Sequence, residues 1–526
     1  MSTAAIERYA LRQAPAIAPA IAVAGLMTAL LLRLLPDVSG KPLHEDEAVA
    51  GLVSARPLGD VLHTVVLERG GAPLHFVLAH LALALDPSAD SLRWLSVVFA
   101  LATVPLCYDL GRRLGGSFTG LTSATLAATS QLLAVYGTFG RMYSLFAFAS
   151  ALSTDLFLRA LDRPTRRTAF AAAAAALVPL AVHPFGAFLF AAEAAVAAWL
   201  WRGRNPRAAM PVLAVSTLAL PLLLTDLRLS DRYAPEVGQD LEAGTSAGSS
   251  GLHALGGAAG GYGVVLAIFV VLAAIGAFTL GRRRPAFAAF ACIVVLGPPI
   301  ALAVADAAGL VSDRLGPRHL IFMLPLWVAL VAVGVAQLAD AVPVPRLAVL
   351  VAVGAVAVLA PNAIAEPRSI PTGDESAVAA PAAWLRTHLS PGDVMYPYSP
   401  VFLAALPAAA EATGYPREAV ALGRAAERTG TTPAVFVSLP LHAPVTASTI
   451  TDLERAGVTA HAFPSWLILE LRGPFANGSE ALTAAATALR DAAPIVAVEA
   501  PGADGYLKQI RGAACTALTR LGSSCN

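Results

Sequence analysis

Long apolar runs fill the first two thirds of the chain, each closed by a short polar or arginine-bearing join. A bilayer core of about 30 Å takes roughly 20 mostly apolar residues per helix. Eleven stretches meet that rule: 15–35, 93–110, 115–135, 142–160, 168–182, 185–201, 208–225, 260–280, 285–305, 319–339 and 346–362. The first follows Arg8 and Arg12 and is long, without a clear small-x-small cleavage site, so it reads as an anchor and not as a removed leader. A twelfth run, Ala72 to Leu85, has only 14 residues and carries His75 and His80, which suits an interfacial or re-entrant helix.

That choice sets the expected topology. If the run at 72–85 does not span, then Arg112/Arg113, Arg163/Arg166/Arg167, Arg202/Arg204/Arg207 and Arg282/Arg283/Arg284 all fall on the side of Arg8 and Arg12. The positive-inside rule makes that side cytoplasmic. The outer face then collects the loop 36–92, the joins near Arg141 and His183, a Gly/Ser-rich loop at 226–259 that reads as a flap, and the join 306–318 with Asp313 and Arg314.

From about Ala363 the pattern changes. Helix-like stretches (Ala377 to Leu389, Ile450 to Ala456, Glu480 to Ala492) alternate with short apolar runs (Val394 to Tyr396, Ala434 to Ser438, Trp466 to Leu471, Ile495 to Val498), as in a small α/β domain. The expected architecture is a polytopic α-helical membrane protein with outer interfacial helices. It comprises a transmembrane domain at 1–362, with its catalytic loop at 36–92, and an extracytoplasmic α/β domain at 363–526.

Composition supports the membrane as solvent. The 526 residues are 57% hydrophobic and 13% charged, against about 25% charged in soluble domains. Net charge is +1, and no basic or acidic block marks a nucleic-acid arm or a disordered tail. The cations are 34 Arg and two Lys (Lys41, Lys508), an imbalance that with the abundant Ala reads as high-GC bacterial codon usage. The four cysteines show no zinc-ligand spacing. Cys515 and Cys525 are able to pair in an oxidising compartment, and the residues alone leave that open.

Just beyond the first span stand His44-Glu45-Asp46-Glu47-Ala48, three consecutive carboxylates. By spacing alone this is foremost a solvated turn that caps a helix running towards Leu58, although three adjacent acids repel and call for a raised pKa or a cationic partner. Further motifs follow in order. They are Arg56-Pro57-Leu58-Gly59-Asp60, Ala72-Pro73-Leu74-His75-Phe76, Leu110-Gly111-Arg112-Arg113-Leu114, Arg141-Met142-Tyr143-Ser144-Leu145, and Pro317-Arg318-His319-Leu320 before Leu324-Pro325. Together they resemble the polytopic GT-C glycosyltransferases of the family 39 type, which include protein O-mannosyltransferases and the lipid A aminoarabinose transferase. The resemblance covers roughly the first 340 residues. It departs where relatives often have His-Pro-Pro-Leu-Tyr-Tyr and this chain has Gly71 to Phe76, where they have Glu-Ala and it has Phe139-Gly140, and where a late Tyr is His319.

The resemblance implies transfer of a sugar from a polyprenyl phosphate to a glycan, lipid or protein acceptor at the outer face of a bacterial plasma membrane, with mannose the expected sugar. Such a donor already carries a good leaving group, so the chemistry needs a base for the acceptor hydroxyl and cations for the departing phosphate, but no general acid. Asp46 is assigned as base, with Glu47 orienting it or holding a cation. Arg141 and Arg318 are candidates for the phosphate, since guanidinium pairs bidentately with phosphate oxygens, with His319 assisting. His44, Glu45, His75, Tyr143 and His183 are candidate substrate contacts. Plainer readings stand beside these: snorkelling arginines, an interfacial Tyr143, and a simple turn at His183-Pro184-Phe185. Glu193, deep in a span, reads as a partner inside the bundle. Two adjacent carboxylates are too few to specify a divalent cation. The competing classes are a transporter of a lipid-linked or small solute, against which the lack of an internal repeat and the one-sided polar residues speak, and a non-catalytic envelope assembly factor of the same fold.

Overall fold

The structure, a computed structural model, describes residues 17–39, 45–68, 72–86, 90–201, 263–307, 317–341, 375–390, 392–396, 430–441, 445–455 and 457–497, with short pieces at 88, 217–221, 223–224, 255–258, 401, 511–512, 514–515, 517–519 and 521–525. Contacts divide the chain into two compact units. One holds 1–40, 53–232 and 242–369, and the other holds 41–52, 233–241 and 370–526.

The first unit is helical. Its described elements are α1 (Ile17–Leu34), the end of α2 (Glu45–Ser54), α3 (Leu58–Glu68), α4 (Leu74–Leu85), α5 (Asp90–Gly115), α6 (Ser117–Thr129), α7 (Gln131–Gly137), α8 (Tyr143–Asp162), α9 (Arg166–Val182), α10 (Gly186–Trp201), α11 (Val264–Arg283), α12 (Pro285–Ala307) and α13 (Leu324–Ala341). Among the described residues, five helices are long and apolar enough to cross a membrane: Ala18–Asp37, Asp90–Gly115, Tyr143–Asp162, Val264–Arg283 and Arg318–Ala341. α4 has 12 residues, about 18 Å at 1.5 Å per residue, too short to span. The stretch expected to span at 115–135 is broken at Ser130, whose hydroxyl caps α7 by accepting from Leu133 N–H at 3.3 Å. The spans expected at 208–225 and 346–362 and the flap at 226–259 lie outside the described residues, apart from the short pieces at 217–221, 223–224 and 255–258, and so do Asp313 and Arg314.

α13 is the centre of this unit, buried at every position from Leu324 to Val335. A helix apolar on all sides belongs inside a bundle. It packs on α5, α6, α8, α11 and α12. Against α11 the two backbones touch: a Cβ on Gly276 would overlap the Leu330 carbonyl oxygen, and one on Gly334 would overlap that of Leu272. α5 and α6 repeat the device, with Gly111 facing Thr119 O and Gly120 facing Tyr108 O, each 2.8 Å from where a Cβ would sit. Close backbone approach replaces the hydrophobic drive that lipid cannot supply.

The arginine-bearing ends of α5 and α8 are tied by ion pairs. Asp109 takes Arg112, Arg113 and Arg159, while Asp155, buried to 1% exposure, takes Arg113 at 3.0 Å and Arg159 at 2.7 Å. Deeper in the bundle, Ser153 Oγ donates to Glu193 Oε1 at 2.8 Å, the intra-bundle pairing expected of that acid.

The second unit holds α14 (Glu375–His388), β1 (Val394–Tyr396), β2 (Thr432–Pro440), α15 (Ala447–Arg455), β3 (Thr459–Ala462), β4 (Trp466–Phe475) and α16 (Gly478–Ala497). The strand order is β1-β2-β4-β3, with β1 parallel to β2 and the other pairs antiparallel. Alternation sorts the faces. Val435, Val437, Leu467 and Leu469 pack with Leu482, Ala485 and Leu489 of α16, while Met395, Phe436 and Ile468 pack with Ala382 and Leu385 of α14. The run Ile495 to Val498, expected as a strand, is a correction: through Ala497 it continues α16, because Val496 extends the apolar stripe of Leu489, Ala492 and Ala493 into the same core. Cys515 and Cys525 form a disulfide, with Cα atoms 5.1 Å apart.

Two outcomes follow from this packing. Gly276→Ala and Gly334→Ala will each lower the thermal unfolding midpoint of the detergent-solubilised protein, by roughly 1–3 kcal/mol of overpacking. Gly281→Ala, on the same α11 with nothing near its Cβ, will leave the midpoint unchanged or raise it, as Ala is the better helix former. In the sheet unit, burial pushes the Glu470 carboxyl up, but hydrogen bonds from His461 and Arg472 outweigh it and hold the carboxyl below its ordinary value. A depressed carboxylate adds stability above its unfolded pKa and loses it as pH falls through the folded one. Glu470→Gln should therefore cost about 1 kcal/mol or less at pH 7, and melting curves of variant and wild type should draw together as pH falls through the lowered carboxyl pKa, below the ordinary glutamate range.

Candidate active site

Several candidate residues meet where helices of the first unit begin. Arg141 and Met142 precede α8, and Tyr143 is its first residue. His183 ends α9, and Pro184 and Phe185 turn the chain into α10. Arg318 and His319 lie in a 3-10 turn, Pro317–Met323, that leads into α13. His75 sits in the first turn of α4. The rings form one group: His183 lies 5.4 Å from His319 and 6.4 Å from Tyr143, Tyr143 lies 6.2 Å from His319, and Phe185 lies 5.6 Å from His319, centre to centre. Phe146 stacks on His183 at 5.1 Å and meets Phe322 at 5.3 Å. The Arg141 charge acts on both His75 and His183, and that of Arg318 acts on His183.

The turn that presents Arg141 is fixed from α5. Ser96 Oγ donates to Phe139 O at 2.6 Å and stands 3.3 Å from Arg141 O, while Arg141 N–H also donates to Phe139 O at 2.6 Å. Phe139 stacks on Tyr143 with ring centres 6.0 Å apart, and Tyr136 stands 5.0 Å from Tyr143. The Phe139-Gly140 departure thus supplies an aromatic wall for Tyr143. Neither Ser96 nor the ring wall was readable as part of a site, because an isolated Ser in an apolar helix carries no signal of the turn it will meet 43 residues later.

The arrangement favours anions. The first N–H groups of a helix have no intrahelical partner, and the aligned dipoles place about half a positive charge there. α8, α10 and the segment entering α13 all begin at the cluster, and two guanidinium groups add to them. Plain turn geometry at His183 is also present, with Phe185 N–H donating to His183 Nδ1 at 3.1 Å.

The acidic pair is in the other unit. Asp46 and Glu47 lie in the first turn of α2, which begins at Glu45, where the plainer reading put them, but that reading's solvated turn is corrected by their burial. Asp46 is half-buried and Glu47 is 1% exposed. His44 lies outside the described residues. Among the described residues no group of three or more His, Cys, Asp or Glu is placed to hold a metal ion.

No family model and no curated protein sequence matches the chain. Solved structures do. ArnT from Cupriavidus metallidurans in the apo state matches with a TM-score of 0.54 at 12% identity, over 86% of this chain and 99% of that one. The same protein bound to undecaprenyl phosphate matches with a TM-score of 0.52 at 15% identity, over 87% and 99%. The oligosaccharyltransferase of Archaeoglobus fulgidus in the apo form matches with a TM-score of 0.51 at 12% identity, over 79% and 69%. These are GT-C fold glycosyltransferases, and the chain shares their fold. It is a multi-pass membrane protein.

Removing the Ser96 hydroxyl leaves the buried Phe139 carbonyl without its side-chain donor. Because the Arg141 N–H still serves that carbonyl, Ser96→Ala should cost about 0.5–1.5 kcal/mol, read as a lower unfolding midpoint, with Ser96→Thr retaining most of it.

Proposed function

We propose that the protein is a glycosyltransferase that moves a sugar from a polyprenyl-phosphate donor to an acceptor hydroxyl at the outer face of a bacterial plasma membrane. The observation that supports this most directly is the meeting of Arg141, Tyr143, His183, Arg318 and His319 at the starts of α8, α10 and α13. An anion-seeking group of fixed cations and helix N-termini is what a lipid-linked phosphate requires. A fold shared with a protein solved with undecaprenyl phosphate supports the same donor class. A cluster at helix ends is also unlike the mid-membrane site of a transporter.

In this reading Arg141 and Arg318 hold the phosphate, with His319 beside them. Asp46 takes the proton of the acceptor hydroxyl as its oxygen bonds to the anomeric carbon. The bond from that carbon to the phosphate oxygen breaks in the same displacement, and its electron pair leaves on the polyprenyl phosphate, which gains one negative charge. Attack from the opposite face inverts the anomeric centre. Glu47 orients Asp46. Mannose is the proposed sugar, and a glycan, lipid or protein hydroxyl the acceptor. The N-terminus lies in the cytoplasm, so that the cluster and the 363–526 domain face outward, where an oxidising compartment suits the Cys515–Cys525 disulfide.

The test is transfer of labelled mannose from polyprenyl-phosphate mannose to endogenous acceptors in membranes carrying wild type or Asp46→Asn at equal expression. Wild type should transfer, and the variant should fall about 100-fold or more, the scale of a lost general base. Equal transfer by both would exclude Asp46 as base. A wild type inactive with every polyprenyl-phosphate sugar tried would overturn the function.

A further inference from the structure

Within the cluster, His183 has one ring nitrogen occupied and, among the described residues, no hydrogen-bond partner on the other. Phe185 N–H donates to Nδ1 at 3.1 Å, and a nitrogen that accepts a hydrogen bond carries no proton. The neutral ring therefore bears its proton on Nε2, where it is a donor. The ring is held against rotation by Phe146 stacked on its face and Phe185 at its edge, and His183 is 6% exposed. Two guanidinium groups act on it, those of Arg141 and Arg318. A neutral donor stands beside two cations without adding repulsion, which a cationic imidazole would not do. A second buried histidine in the field of Arg141, His75, is 1% exposed and its Nε2 has no hydrogen-bond partner among the described residues. Buried polar atoms are normally satisfied, so this atom, also within the field of Arg141, calls for a polar partner of its own.

We propose that His183, fixed as the Nε2–H tautomer by the Phe185 backbone, donates a hydrogen bond to a phosphate oxygen of the polyprenyl-phosphate carrier. His183 is then a binding residue built into the α9–α10 turn, and the turn is part of the site. The inference rests on the phosphate reading above.

Two amide substitutions separate the two nitrogens. In His183→Asn the amide oxygen replaces Nδ1 as acceptor for Phe185 N–H, keeping the turn, but nothing replaces Nε2. In His183→Gln the longer amide carries an N–H near the Nε2 position while the turn loses its acceptor. Binding of undecaprenyl phosphate to the purified full-length protein in nanodiscs is measured for wild type, both variants and Arg141→Ala, with unfolding midpoints alongside. The inference expects His183→Asn to bind about 10-fold or more weakly, the worth of one hydrogen bond to a charged group, at an unchanged midpoint. It expects His183→Gln to bind within about threefold of wild type despite a lower midpoint, since the donor that makes the difference is kept. Wild-type affinity in His183→Asn overturns the inference, and so do equal losses in both variants that track their midpoints, which would assign His183 to the turn alone. If Arg141→Ala weakens binding and His183→Asn does not, only the inference fails. If neither changes it, the phosphate reading fails with it.

Discussion

A helix bundle in hydrocarbon lacks the force that drives soluble cores together, because lipid tails are as apolar as Leu. What remains is close contact, and in this unit the closest contact is backbone on backbone between α11 and α13 at Gly276 and Gly334. Much else hangs from it. α13 is buried all round and packs on α5, α6, α8, α11 and α12, and the turn that leads into it carries Arg318 and His319. The His319 ring that meets Tyr143 and His183 is thus carried on a turn that leads into a helix seated by glycines well inside the bundle. A methyl group there would be felt at the cluster through a rigid helix, without touching any residue of the site.

The same solvent sorts polar groups to the ends of helices. At one end of α5 and α8 the arginines find carboxylates, and Asp109 and Asp155 tie the two helices together. Where α8 begins, Arg141 stands two residues before Tyr143, and its charge acts on His75 and His183. One end ties its arginines to carboxylates, and the other places Arg141 just ahead of a helix N-terminus, the end of a helix that attracts anions.

Much of this was legible in the sequence, and the limits have physical causes. Apolar runs of near-membrane length gave the helices at α1, α5, α8, α11, α12 and α13, and the short run with two histidines proved to be a 12-residue helix. β1 was read to the residue, because three buried apolar residues between turn signals have few alternatives. β3 was missed, since Thr459-Ala460-His461-Ala462 has no large apolar residue and is held by its pairing to β4. Ile495 to Val498 misled because a short apolar run fits a strand and the end of an amphipathic helix equally, and only the core of α16 decides. Arg141, Tyr143, His183 and His319 were named as candidates for one substrate through the family resemblance, but spacing alone carried no sign of their ring contacts, because helix packing brings together positions as far apart as Tyr143 and His319.

The turn at His183 shows why its bland reading and its functional one need not compete. Sequence alone weighed a simple helix-breaking turn against a ligand contact, as if one imidazole had one role. The structure assigns the turn to Nδ1, through the Phe185 amide. A hydrogen bond that shapes a turn also settles which nitrogen bears the proton, so the local constraint prepares the chemistry of the other nitrogen. Had Nδ1 been the protonated nitrogen, Phe185 N–H would face a donor and the turn would lose its bond. The geometry that makes His183 look structural is thus the condition for its Nε2 to be a neutral donor among cations.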